Sequence, residues 1–210
     1  MTPITQGRIC FPNPLINGQC WSWAAPVEGI DQGADAAFFI GYHAMAGTPD
    51  ATIAHTFTGR IAAVRINGLK IGEIGLNAML AGYFGVPVVL VSGDEAGASE
   101  AGELLGHVET VSVKKGIGAY CLHPERCCQQ IYDGAQKAMA RPDGWRSFRV
   151  DAPTTLTVQF TTASGADRVL RMPGTERTNG TTVCWRGENG LEVFRAFNTM
   201  SDLVELVPFI

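Results

Sequence analysis

VPVVLVSG, residues 86–93, constrains the fold more than any other stretch, because no polar side chain occurs from Val86 to Val91. A strand with one wet face alternates apolar and polar residues. A strand with no polar position must be covered on both faces, which is the condition of a parallel sheet in an α/β protein. AAFFIGY (36–42) reads as a second such strand, and HVETVSVKK (107–115) as a third through Val108, Val111 and Val113. Helical spacing separates them. In GEIGLNAMLAGYFG (72–85), Leu76, Met79, Leu80, Tyr83 and Phe84 recur on one face until Gly85 and Pro87 stop the helix. DEAGASEAGELLG (94–106) carries acids in its first turn, and CLHPERCCQQIYDGAQKAMA (121–140) has Pro124 near its first helical position and Glu125 in its first turn. Apolar strands alternating with helices predict an α/β fold, a mostly parallel sheet flanked by helices.

The rest of the chain reads differently. RIAAVRINGLKIGE (60–73) is a hairpin about Asn67-Gly68. Arg141-Pro142-Asp143-Gly144 is a break. After it come a strand-like TTLTVQF, a segment from Ala166 to Gly187 with two strand-like ends around a Gly/Thr/Asn-rich loop, and a closing amphipathic helix from Gly190. This predicts an α/β core domain over 1–150 and a smaller C-terminal α+β portion over 151–210. Residues 1–30, broken by Pro3, Pro12, Pro14 and Pro26, predict no regular element.

Composition narrows the partners. The 210 residues carry a net charge of -4 and no Lys/Arg block, which argues against nucleic acid or an anionic membrane. No apolar run approaches the ~18 residues that span a bilayer. Six irregularly spaced cysteines do not form a disulfide framework, so reduced thiols and a cytoplasmic setting are expected.

Two of the four histidines fall in GYHAMAGTPDATIAHTFTG (41–59). His43 follows an apolar strand directly, where α/β sheets gather their ligands. A core histidine bonded to a backbone carbonyl competes with that reading. His55 is either an exposed loop residue or a general acid/base or oxyanion-stabilising group beside His43. Glu73 opens a helix, where the helix dipole accounts for it, or where it supplies an oxygen ligand. Histidine with carboxylate suits zinc, and a zinc site with an open position suits hydrolysis.

Other groups compete. Cys121, His123, Cys127 and Cys128 match no spacing of paired metal ligands, and core thiols on a helix are the better account. Asp94 and Glu95 read as cap and first-turn residues, with lining of the cleft as the alternative. His107 reads as an exposed loop group. Arg177 could bind a substrate carboxylate or serve an ordinary tight loop.

Four segments, GADAAFFIGYHAMAGTPDATIAHTF, INGLKIGEIGLNAMLAGYFGVPVVLVSGD, VKKGIG and MPGTERTNGTTV, stand in an order that resembles the DppA-type D-aminopeptidases, a family of zinc-dependent peptidases. The resemblance covers roughly residues 27–205. It implies a two-zinc aminopeptidase acting on short peptides with an N-terminal D-residue, such as D-alanyl peptides. It also implies a ring-like, decamer-like homo-oligomer. Matched position by position, His43 in the GYH motif and Glu73 in the GE-x-G-x-NA motif correspond to metal ligands, and His55 to the catalytic histidine. For the substrate amine, Asp94 or Glu95 is the expected anionic partner, with Arg177 as a further substrate contact. The family also begins with an apolar strand ending in Asp-x-Glu-Gly and has a ligand histidine in an Asn-Asp-Ser-His segment. Neither pattern precedes His43, and Val27-Glu28-Gly29 matches the family's Val-Glu-Gly segment instead. By the resemblance, then, the family's N-terminal metal-binding segment is lacking, and two ligands stand where zinc needs three or four. The alternative expectation is an impaired or truncated member acting as a peptide-binding or oligomerisation module.

Overall fold

A computed structural model describes Ala24, residues 26–116 and residues 120–205. Cys10, Cys20, Trp21 and Trp23 lie outside the described residues. In chain order the elements are β1 (Ala37–Tyr42), β2 (Ile61–Ile66), β3 (Leu69–Ile71), α1 (Glu73–Tyr83), β4 (Val88–Asp94) and α2 (Glu95–Leu105). There follow β5 (Glu109–Lys115), β6 (Tyr120–Cys121), α3 (Pro124–Met139), β7 (Thr154–Phe160), α4 (Ala163–Val169), β8 (Glu176–Asn179), β9 (Thr182–Gly187) and α5 (Gly190–Glu205).

The first sheet has the order β1-β4-β5-β6. Its three longer strands pair in parallel, and only the short β6 runs antiparallel. With the flanking helices this is the expected α/β architecture. β4 is buried at all seven positions, as its apolar run from Val88 to Val91 leads one to expect. β1 departs from expectation. Its apolar run predicts cover on both faces, yet Phe38 and Ile40 are 37% and 52% exposed while Phe39 is 3% exposed. The cause is position: β1 is an edge strand, and α2 and α3 pack on β4 and β5.

The second sheet is antiparallel, in the order β3-β2-β7-β9-β8. Asn67 and Gly68 both take positive φ, 50° and 84°, the backbone that a tight two-residue hairpin needs. β2 then pairs with β7, so the hairpin of the first half builds a sheet with the strands that follow residue 150. The expected boundary near 150 therefore does not separate the sheets. One core joins them, running from Ile61 and Val64 through Leu76 and Leu80 to Leu156, Phe194 and Phe197.

α1 is the pivot of that core. Every residue from Ile74 to Gly82 is buried, and a helix buried on all sides belongs between layers rather than on a surface. At Gly82 an added Cβ would stand 1.8 Å from the Phe148 carbonyl oxygen, so only glycine admits that close crossing. α5 buries Val193, Phe194, Phe197, Met200 and Val204 on one face, matching its amphipathic reading. The strand-like reading of the segment opening at Ala166 is corrected. Ala163–Val169 is helical, because Thr162 caps the helix by accepting the Gly165 N–H and Ala166 and Val169 turn inward.

Candidate metal centre

His43 stands one residue beyond β1, at the strand's carboxyl end. Glu73 is the first residue of α1. His55 arrives from the intervening irregular loop. Their ligand atoms lie within 4.8 Å of one another, and among the described residues this is the one such grouping of three or more. His43 Nε2 is 3.4 Å and His55 Nε2 3.6 Å from Glu73 Oε1. The imidazoles stack with centroids 4.0 Å apart and planes 19° apart.

Backbone carbonyls set the orientation of both rings. His43 Nδ1 lies 3.1 Å from the Ala44 oxygen and His55 Nδ1 2.7 Å from the Ile53 oxygen. A carbonyl only accepts, so each Nδ1 carries the proton, and each Nε2 of a neutral ring turns a lone pair toward the carboxylate. Lone pairs facing a carboxylate repel unless a proton or a cation lies between them. Glu73 itself is fixed by the Phe57 N–H, which donates to Oε1 at 2.8 Å. Phe57 holds a left-handed backbone (φ 58°), with its ring edge-on to Phe197 at 4.9 Å. A bulky residue there costs on the order of 1–3 kcal/mol, offset here by ring packing and the carboxylate bond.

The electrostatics agree with this arrangement. The hydrogen bond to Glu73 raises the His43 pKa against the opposing effect of burial. Burial pushes the Glu73 carboxyl up, but the His43 and Phe57 hydrogen bonds and the nearby histidine charges outweigh it and hold the carboxyl below its ordinary range. Tyr42, pushed upward chiefly by burial, stays a phenol and accepts from Asn77 Nδ2 at 3.0 Å.

The donors fit a zinc ion. Ligands at about 2.0–2.1 Å around a tetrahedral ion stand about 3.4 Å from one another, and the two distances to Glu73 are of that size. A groove of about 620 Å³ opens beside the cluster, lined by Val27, Glu28, Phe38, Tyr42, His43 and Glu73. The Val-Glu-Gly segment thus forms one wall of the site's approach.

None of the other sequence candidates joins the cluster itself. Asp94 is 1% exposed and uses both oxygens on backbone, Oδ1 on the Gly97 N–H at 2.9 Å and Oδ2 on the Thr52 N–H at 2.8 Å. Glu95 is exposed and pairs with Lys115 at 3.3 Å. Arg177, on β8, pairs with Asp167 and donates to the Gly180 carbonyl. Cys127 donates to the Leu122 carbonyl and is half-buried, whereas Cys121, His123 and Cys128 are exposed, so the core-thiol reading holds in part for Cys127 alone. His107 is exposed, as expected. Glu100 escaped the sequence reading. It lies on α2, 9% exposed, and Oε2 accepts the Met45 N–H at 2.7 Å. Its small-residue helix (Gly97, Ala98, Ala101 and Gly102) is the one sequence signal that a residue there could be buried.

Two imidazoles and a carboxylate converge at the carboxyl end of a parallel sheet, and these are donor types that a metallohydrolase centre uses. The sequence profile of the D-aminopeptidase family (Peptidase_M55) matches residues 14–199, and the chain belongs to that family. A D-aminopeptidase of Bacillus subtilis (strain 168) is 34% identical over 199 residues, covering 93% of this chain and 72% of the relative. Among solved structures, the Zn-dependent D-aminopeptidase DppA from Bacillus subtilis, described as a self-compartmentalizing protease, superposes with a TM-score of 0.87. That match is 33% identical and covers 91% of this chain and 71% of the other.

Proposed function

We propose that the chain is a zinc-dependent aminopeptidase that hydrolyses short peptides with an N-terminal D-residue, D-alanyl peptides foremost. The observation that carries this reading is the convergence of both Nε2 atoms on Glu73 Oε1, with each Nδ1 tied to a carbonyl. His43 and Glu73 hold the metal. When bound, zinc supplies a water acidic enough to ionise near neutral pH and polarises the scissile carbonyl. His55, 38% exposed against 13% for His43, faces the open side. Once Nε2 is protonated, the imidazolium gives that proton to the leaving amine or donates to the tetrahedral intermediate. The Ile53 carbonyl keeps the ring in the tautomer that leaves Nε2 available.

A second zinc, a ring-like homo-oligomer and a cytoplasmic setting belong to the same reading. The related structure's description as self-compartmentalizing supports assembly. No helix among the described residues is long and apolar enough to cross a membrane.

A second reading of His55 has its own support. Its 3.6 Å distance to Glu73 Oε1 also suits a third ligand. His55→Ala separates the two: a catalytic His55 leaves zinc affinity within a few-fold while turnover collapses, and a ligand His55 loses both. The reading as a whole is tested by incubating the zinc-loaded protein with D-alanyl and L-alanyl peptides. Release of D-alanine well above L-alanine is expected, and equal release or none would contradict it.

A further inference from the structure

We propose that Asp94 and Glu100, the buried carboxylates of the β4–α2 unit, are positioning residues that hold the backbone of the loop carrying His43 and His55. The proposal rests on the metal-centre reading above. Between the end of β1 and the start of β2 the chain forms no strand or helix, only an isolated bridge between Thr56 and Thr58. Its backbone N–H groups need partners from elsewhere. Asp94 Oδ2 takes the Thr52 N–H at 2.8 Å, three residues before His55. Glu100 Oε2 takes the Met45 N–H at 2.7 Å, two residues after His43. The loop therefore hangs at two points, Met45 near His43 and Thr52 near His55, from two carboxylates of a single unit.

Packing ties the same unit to His43. At Gly97, in the first turn of α2, an added Cβ would stand 2.9 Å from the His43 carbonyl carbon and 2.8 Å from Asp94 Oδ1. At Gly72, just before Glu73, an added Cβ would stand 2.7 Å from Glu100 Oε1 and 2.6 Å from Met45 Cβ. Glu100 thus lies against the backbone that introduces the third residue of the cluster. Neither carboxylate has an ion-pair partner among the described residues, and Glu100 Oε1 faces the Gly72 backbone rather than a cation. Burying an unpaired carboxylate is costly. The cost is consistent with a geometric role, since each oxygen that does bond the loop fixes an amide close to a histidine. Supporting groups of this kind set ligand orientation, and losing one weakens metal binding about 10–100-fold.

The helix-cap role of Asp94 can be separated from the loop role. Serine in its place still caps Gly97, as a hydroxyl caps α4, but is too short to reach Thr52 as well. The test compares Asp94→Ser, Glu100→Gln and the exposed control Glu103→Gln with the unaltered protein. Zinc affinity is measured by chelator competition, and amide exchange is followed in the metal-free protein. Expected are a zinc affinity about 10–100-fold weaker in the first two variants and exchange about tenfold or more faster over residues 44–56. β4 should stay protected and Glu103→Gln unchanged. Loop exchange unchanged in both variants would overturn the proposal, whatever zinc does. Absence of zinc binding in the unaltered protein, with loop exchange raised in the variants, would leave the clamp standing and sink the metal-centre reading.

Discussion

β1 and β4 are neighbours with nearly the same sequence character, and the structure treats them oppositely. Both are apolar runs, paired in parallel, and both end on the side of the sheet where His43 stands. β4 is buried throughout, between the helices and the core. β1 shows Phe38 and Ile40 to solvent, and the groove that leads to His43 and Glu73 runs along it. The central strand is the scaffold, and the edge strand is the lip of the site. Apolar content alone does not distinguish the two roles, because sheet order decides which strand has a neighbour on each side.

The largest expected effect is chemical. Glu73→Gln keeps size and position in α1 but removes the charge shared by both histidines. Peptidase activity should fall by at least two orders of magnitude, read as kcat/KM with D-alanyl peptides. Retained activity would mean that the lip of β1 leads nowhere.

Next come the strands themselves. Leu90→Ala on β4 removes a wholly buried side chain and should cost about 2–5 kcal/mol in urea unfolding. Ile40→Ala on β1, half exposed, should cost under about 1 kcal/mol. Equal costs would mean that β1 is covered after all.

The pH dependence of the metal-free protein gives a smaller effect of defined sign. His43 has a folded pKa above its ordinary 6.5, so its contribution is complete below 6.5 and lost as pH rises through the folded value. Glu73 has a folded pKa below its ordinary 4.5, so its contribution is complete above 4.5 and lost as pH falls through the folded value. The pair therefore stabilises the metal-free fold most between about pH 4.5 and 6.5. The melting-temperature difference between the unaltered protein and His43→Gln should peak there and shrink toward alkaline pH. A difference that grows toward alkaline pH would contradict the pairing.

The smallest effect belongs to the exposed pair of Glu95 and Lys115. Glu95→Gln should change stability by less than about 0.5 kcal/mol, because solvent screens both charges.

The α/β class, the Asn67-Gly68 hairpin and the helix starts were legible because each rests on local pattern. His43 stood out because an apolar run ends beside it, and Asp94 because it caps a helix. What local pattern does not carry is pairing across distance. β2 joining β7 undid the boundary near residue 150 as a division between sheets, although the break at Arg141–Gly144 is real and includes a short 3-10 turn. The strand-like segment beginning at Ala166 became α4 once Thr162 capped it. In the site, the three residues that converge were each named from sequence and from family resemblance. Their convergence depends on Phe57 in a left-handed conformation and on the carbonyls of Ala44 and Ile53, none of which a residue type reveals. Glu100 was missed because a glutamate on a helix ordinarily faces water, and its burial follows from the packing of α2 on the loop.

The most direct test of the central claim is zinc binding to the purified chain, measured by chelator competition with His43→Ala alongside. The account predicts specific binding by the unaltered protein and its loss on removal of the His43 imidazole, with the fold retained by circular dichroism. Zinc held equally well by His43→Ala would contradict it.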